Sequence, residues 1–290
     1  MQARWKKLAV AAATVAGTLA TSLVATEKPA AAQEIQLTGP LAGAPAVRRL
    51  RQYRDGRFEL ALGSGFTLLD EYQRTIFVAG RLQYNIFDWL GIGAFGGYGV
   101  ASLNTDLTDK IDTTAPRNSR TAINLPPRAG QPGGQAFDKQ TGQQKLLINP
   151  QVTFAPFRGK LAFFQKLFID TDLYVHGGLA ITQVQERASC AVGACSATNP
   201  NAFKTDTRMA FAPSFGLGLS LYATGFLSVN VEYRAYPFSW NRGGFDSRGG
   251  GPDASFPDNK IDSEDQTFKF NQMVFVGVGF YLPTKPKISD

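Results

Sequence analysis

The chain has one histidine, His176, which shares strand parity with Asp172; Ser214 and Ser220 hold the same parity on a later run. A histidine, an acidic residue and a serine are the parts of an ester hydrolase: base, orienting carboxylate and nucleophile. Such a set requires the nucleophile within hydrogen-bond reach of the base, which spacing alone does not supply. No G-x-S-x-G turn or comparable nucleophile motif occurs. The expectation is therefore a non-enzyme whose His176 is an ordinary interior residue, with lipid-ester hydrolysis as the sharper alternative. The acidic stretches DTTAP (112–116) and PDNKIDSED (257–265) lack calcium-loop spacing, so neither a metal nor a cofactor is expected.

The beginning of the chain sets its compartment. Arg4, Lys6 and Lys7 precede an uncharged stretch, residues 8–26, and Ala30, Ala31 and Ala32 follow. This pattern reads as a secretion signal cut after Ala32, the competing reading being a retained anchor helix. In an exported chain the only two cysteines, Cys190 and Cys195 in ASCAVGACS, read as a disulfide within a surface loop. Their spacing is not the Cys-x-x-Cys of thiol redox catalysis. Of the formal charge of +7, three units lie in the leader, and the mild remainder argues for no nucleic-acid partner.

The elements that must hold these residues are strands. Arg57–Leu68 alternates, with Phe58, Leu60, Leu62, Phe66 and Leu68 opposite Glu59, Ala61, Gly63, Gly65 and Thr67. Similar runs recur at 75–84, 89–100, 145–155, 169–181, 208–222, 226–235 and 267–283. In the last, Phe268, Phe270, Val274, Val276, Val278, Phe280 and Leu282 share one face. Eight runs, each long enough to cross a bilayer at a tilt, predict an eight-stranded antiparallel up-and-down transmembrane β-barrel over residues 56–283. The final strand must then pair with the first, because an open edge has no partners in lipid. Beyond the leader no stretch reaches the ~18 apolar residues of a membrane helix.

With the N-terminus periplasmic, the long polar connections at 102–144, 182–207 and 236–266 fall outside the cell, and the shorter links fall inside. Tyr84, Trp89, Tyr98, Tyr222 and Tyr233 lie near strand ends, as an aromatic girdle does. A secreted sandwich also alternates but has no need of this loop asymmetry. Residues 33–55 are then a periplasmic segment, a short helix after Pro45 or a solvated tail, and 284–290 a periplasmic C-terminal tail. Pro156–Leu167 breaks the alternation; Leu161, Phe164, Leu167 and Phe168 recur at helical spacing and predict an amphipathic turn at the membrane surface.

Eight strands enclose a lumen just wide enough for side chains to fill. Glu59, Arg81, Asp170, Asp172, His176, Glu232, Arg234 and Lys269 have inward parity, and charges there must be paired or hydrated. They predict an ion-pair network that plugs the lumen, a conducting path being the alternative. Arg117, Arg120, Arg128 and Lys139 make one long loop basic, while Asp246, Asp253, Asp258, Asp262, Glu264 and Asp265 make another acidic. These loops are either paired as a cap or solvated separately.

Four stretches carry a further likeness: LTGPLAGAPAVRRLRQYRDGRFEL (37–60), FTLLDEYQRTIFVAGRLQYNIFDWLGIGAFGGYG (66–99), PFRGKLAFFQKLF (156–168) and FVGVGFYLPTKPKISD (275–290). They resemble the outer-membrane β-barrel proteins of myxobacteria, a family that includes barrels associated with gliding-motility and adhesion machinery. The resemblance spans most of the mature chain outside the loops near 102–144, 184–206 and 237–265. It implies contact with outer-membrane lipid and with periplasmic or outer-membrane protein partners. One departure from the general barrel signal is that residues continue past Phe280, so the barrel-insertion machinery is expected to read an internal signal.

Overall fold

The computed structural model describes residues 53–114, 137–163, 167–191, 205–247 and 260–285. The leader and its cleavage site, most of the N-terminal segment, Cys195 and the Cys190 side chain lie outside them. So do Arg117, Arg120, Arg128, Asp253 and Asp258.

In chain order the strands are β1 (Phe58–Leu68), β2 (Gln73–Asn85), β3 (Leu90–Asn104), β4 (Gln143–Phe163), β5 (Leu167–Arg187), β6 (Cys190–Ala191) and β7 (Thr205–Tyr222). There follow β8 (Leu227–Ala235), β9 (Phe238–Trp240), β10 (Lys260–Ile261), β11 (Thr267–Lys269) and β12 (Gln272–Leu282). Eight of them close a barrel in the order β1-β12-β8-β7-β5-β4-β3-β2, each pair antiparallel. The seam joins the first strand to the last, from Phe58↔Leu282 to Leu68↔Gln272. No backbone row along that seam is left without a partner, as a strand surrounded by hydrocarbon requires.

Side-chain period decides which face is which. On β1, Phe58, Leu60 and Leu62 are exposed while Glu59 and Ala61 are fully buried; on β2, Val78 and Leu82 are exposed while Phe77 and Arg81 are buried. The same inversion runs around the wall, with Val152, Val175, Leu217, Val229 and Val278 outside and Gln151, Tyr174, Asn230 and Glu232 inside. A water-soluble barrel has the opposite polarity. At the end where β1 begins and β12 finishes (the termini end), Phe58 and Tyr84 rings lie 4.7 Å apart, and Trp89 contacts Phe87 at 5.6 Å and Phe154 at 5.8 Å. Short hairpins close that end; the long connections gather at the other, the loop end.

Three expectations are corrected. Residues 156–163 are not a surface helix: β4 continues to Phe163 and pairs there with Leu167 of β5, Phe164 lying outside the described residues. A bulge between Phe154 and Phe157 resets the alternation, and beyond it Arg158 faces Asp172 across the pair. The run 267–283 is not one strand either. It breaks at Phe270–Asn271, where the Asn271 amide donates to the Tyr236 and Lys269 carbonyls, and β11 pairs away from the barrel with β9. Lastly, the connection 102–144 is not all loop. It contains a helix, α1 (Asp106–Thr114), and a 3-10 turn at Phe137–Lys139 whose buried Phe137 stacks on Phe245 at 5.3 Å.

Candidate functional site: the charged interior and its two closures

At mid-height Arg81, from β2, donates to Glu59 on β1 and to Glu232 on β8, and Arg234 donates to the other Glu232 oxygen. All four side chains are essentially without solvent contact. Two guanidinium and two carboxylate groups balance, which is the condition under which charges persist away from water. Neutral groups bind several of the remaining valences, while Glu59 Oε2 and Arg81 Nε are buried without a hydrogen-bond partner. The Tyr174 hydroxyl donates to Glu232 at 2.7 Å, Arg234 donates to Gln151 Oε1 at 2.7 Å, and the Arg234 guanidinium lies 3.8 Å from the Phe95 ring centre. A desolvated cation over a ring contributes about 2 kcal/mol. Glycine at Gly218 leaves room for the Tyr174 ring, which a Cβ there would strike.

The termini end is closed by a second balanced set. Gly56, in the left-handed region at φ 68°, turns residues 53–55 across the barrel mouth. Arg54 is thereby buried, with Nε 3.3 Å from Asp172 Oδ2. Its backbone N–H donates to Asp88 Oδ1 at 2.7 Å. Arg158 lies 3.1 Å from both Asp88 and Asp172. The Tyr222 hydroxyl donates to Asp172 Oδ2 at 2.7 Å and lies 3.2 Å from the Tyr281 hydroxyl.

At the loop end the lumen is filled by Phe77, Phe275, Met273 and Tyr236, and roofed by Trp240, Arg242 and Asn271. Arg242 reaches Asp70 at 3.1 Å; burial nevertheless pushes the Asp70 carboxyl above its ordinary value, the guanidinium opposing this. Above them Glu186 accepts from Arg208 Nε at 2.6 Å and from the Asn241 N–H at 2.9 Å, and Gln140 donates to the Gly243 carbonyl at 3.0 Å. Asp265 accepts from the backbone N–H groups of Ser247 and Asp262, at 2.6 and 2.8 Å. Its pKa is pushed up to about 6 by burial, which those two bonds partly offset, with Asp246 and Asp262 adding to the rise. The described part of the cap is thus held by buried polar groups rather than by one basic loop against one acidic loop.

Of the residues singled out by parity, Glu59, Arg81, Glu232 and Arg234 meet in one cluster, while Asp172 belongs to the mouth closure. Asp170 is half-buried near the start of β5, opposite Lys160 and Tyr222 in the register of the neighbouring strands. Lys269 is not in the lumen: it is carried off on β11 and pairs with Glu71 at 2.7 Å on the surface. His176 is buried against Gly216, but its ring bonds neither serine. Ser214 Oγ lies 2.6 Å from the Asn149 amide, Ser220 donates to Asn230, and Asp172 faces two arginines. The hydrolase parts are therefore not assembled. Arg54, Arg158, Asp88 and Tyr174 escaped the sequence reading. Alternating opposite charges, Arg158 and Lys160 facing Asp170 and Asp172, were the available signal for the β4–β5 extension.

No protein-family model matches the chain, and no curated protein matches it. Among solved structures, it is similar to the N-terminal β-barrel domain of Pseudomonas aeruginosa OprF, at 11% identity over 79% of this chain and 98% of that one, with a TM-score of 0.40. It is similar to OprG from Pseudomonas aeruginosa, at 9% identity over 80% and 98% with a TM-score of 0.40. A third likeness is Ail, the attachment invasion locus protein of Yersinia pestis, at 8% identity over 79% and 99% with a TM-score of 0.34.

Proposed function

We propose that the chain spans the outer membrane as a closed, non-enzymatic barrel and serves the cell envelope as a docking component. The observation that carries this reading is the inverted polarity of the wall: hydrocarbon side chains outside, balanced ion pairs within. Such an exterior is stable only against lipid, and such an interior only when every charge is met. The aromatic contacts at the termini end fit the headgroup level, where Tyr and Trp accumulate. Both termini are placed in the periplasm on this reading, because the short hairpins share their end and the long connections rise from the other.

Docking is the role left for a barrel whose lumen is filled along its height. The cap over Trp240 and Arg242, and the N-terminal arm that enters at Arg54, are the surfaces offered to the outside and to the periplasm. The sequence resemblance to barrels of motility and adhesion machinery names the kind of assembly in which to seek a partner. Insertion is assigned to the barrel-insertion machinery, reading a signal within β12. Two measurements test the proposal. Membrane fractionation with heat-modifiable gel mobility is expected to give an integral protein whose folded form migrates differently from the boiled one; recovery in the soluble periplasm overturns it. Capture from detergent-solubilised membranes is expected to bring down an envelope protein, and its repeated absence removes the docking role.

A further inference from the structure

The outer wall is not uniform. A groove of about 850 Å³ crosses β2, β3, β4 and β5 on the exterior, with Ala94, Pro150 and Gly177 as its floor. Leu82, Ile92 and Leu179 rise beside it. Its origin is local chemistry. Pro150 has no N–H to give, and the β4–β5 ladder passes from Ile148↔Ile181 to Gln151↔Gly178 with no pair between. Gly178 is required by that distortion, since a Cβ there would strike the Pro150 carbonyl. Gly177 is not: a Cβ there would have only the Ser214 carbonyl within 4 Å, at 3.9 Å. The floor is bare at Gly177 although the fold leaves room for a side chain.

We infer that this groove is a seat for an acyl chain of a membrane phospholipid. The inference rests on the bilayer-spanning reading above. Three features choose the occupant. The groove's size falls within the roughly 300–1,000 Å³ of small-molecule sites. Its lining is apolar, with Leu82, Ile92, Val152 and Leu179 exposed, and includes no charged residue that a protein partner could pair. It reaches Phe58 and Tyr84 at the termini end, the side placed in the inner, phospholipid leaflet. A chain lying in it has its headgroup beside the tyrosine and its tail toward Pro150.

Native mass spectrometry of the folded, detergent-purified protein, titrated with 1-palmitoyl-2-oleoyl phosphatidylethanolamine, tests the inference. The unaltered protein is expected to retain one phospholipid. Gly177→Leu and Ala94→Phe, which fill the groove, are expected to weaken retention about tenfold, and Val231→Leu on the opposite wall to leave it unchanged. Heat-modifiable mobility confirms that each variant is folded; if Ala94→Phe fails to fold, Gly177→Val takes its place. Equal retention by filled and unfilled forms, equal loss in Val231→Leu, or a dimer in place of the lipid adduct overturns the seat. A barrel that fractionates with membranes yet binds no lipid refutes the seat alone; one found soluble refutes the bilayer reading itself.

Discussion

Arg54 and Asp172 meet 3.3 Å apart inside the barrel mouth, one from the arm that precedes β1 and the other from β5. Asp172 also holds Arg158 and the Tyr222 hydroxyl, so the two ends of this pair are unequal. Arg54→Ala leaves the carboxylate with both other partners and is expected to cost about 1–3 kcal/mol. Asp172→Ala leaves the buried Arg54 guanidinium without its carboxylate and Arg158 with Asp88 alone, and is expected to cost about 3–5 kcal/mol. Urea unfolding midpoints of the folded gel band, in detergent micelles, rank the two; equal losses contradict the unequal partnership.

The central cluster behaves differently. Removing Arg81 leaves Glu59 and Glu232 facing each other with one guanidinium, that of Arg234, on the far side of Glu232. Arg81→Ala is expected to destabilise the barrel by about 3–5 kcal/mol. Adding Glu59→Gln to it is expected to restore part of that loss, because the uncompensated charge is then gone. A double-mutant cycle measures the restoration, and strictly additive losses show that the pair is not coupled.

Conductance follows from the same two closures. In planar bilayers the unaltered protein is expected to give no ohmic steps. Arg54→Ala is expected to stay silent as well, since Arg81, Tyr174 and Arg234 still fill the waist. Steps from the unaltered protein defeat the filled-lumen reading, whereas steps confined to Arg54→Ala place the barrier at the mouth instead.

The loop end carries a pH dependence. Asp265 has its pKa raised to about 6 in the folded cap, above the usual aspartate value. The folded cap therefore holds the proton more tightly than the unfolded one, and protonation favours folding. Protection is greatest below about pH 4, is lost as pH rises to about 6, and stays low above it. Amide hydrogen exchange at Ser247 and Asp262, corrected for intrinsic rates, is expected to accelerate across that window. Asp265→Asn flattens the dependence; a slope in the opposite direction refutes the assignment.

Much of the barrel was legible because lipid outside and a filled lumen inside impose opposite demands on successive residues. Phe58 through Leu68 and Leu227 through Arg234 show that alternation without interruption, and Glu59, Arg81, Glu232 and Arg234 follow from parity alone. Parity fails wherever a residue is inserted or a side chain replaces a backbone bond. The bulge at Phe154–Phe157 shifted the parity midway along β4, so its extension to Phe163 did not read as the same strand. Asn271, satisfying the Tyr236 and Lys269 carbonyls with its amide, removed Lys269 from the lumen. Arg54 lies outside any alternating run, and its place in the mouth depends on the turn at Gly56. Such contacts are set by closure in three dimensions, which no local pattern encodes.

Arg81 and Glu232 belong to β2 and β8, strands separated in the sheet by β1 and β12. Their bond thus straddles the joint between chain beginning and chain end. A ribbon whose seam is still open keeps Arg81 with Glu59 and Glu232 with Arg234 but lacks the bond that joins the two pairs. Completing the cylinder links the two pairs into one network, so the closed form gains what no open ribbon has, and the ionic clasp reports that the circle is shut.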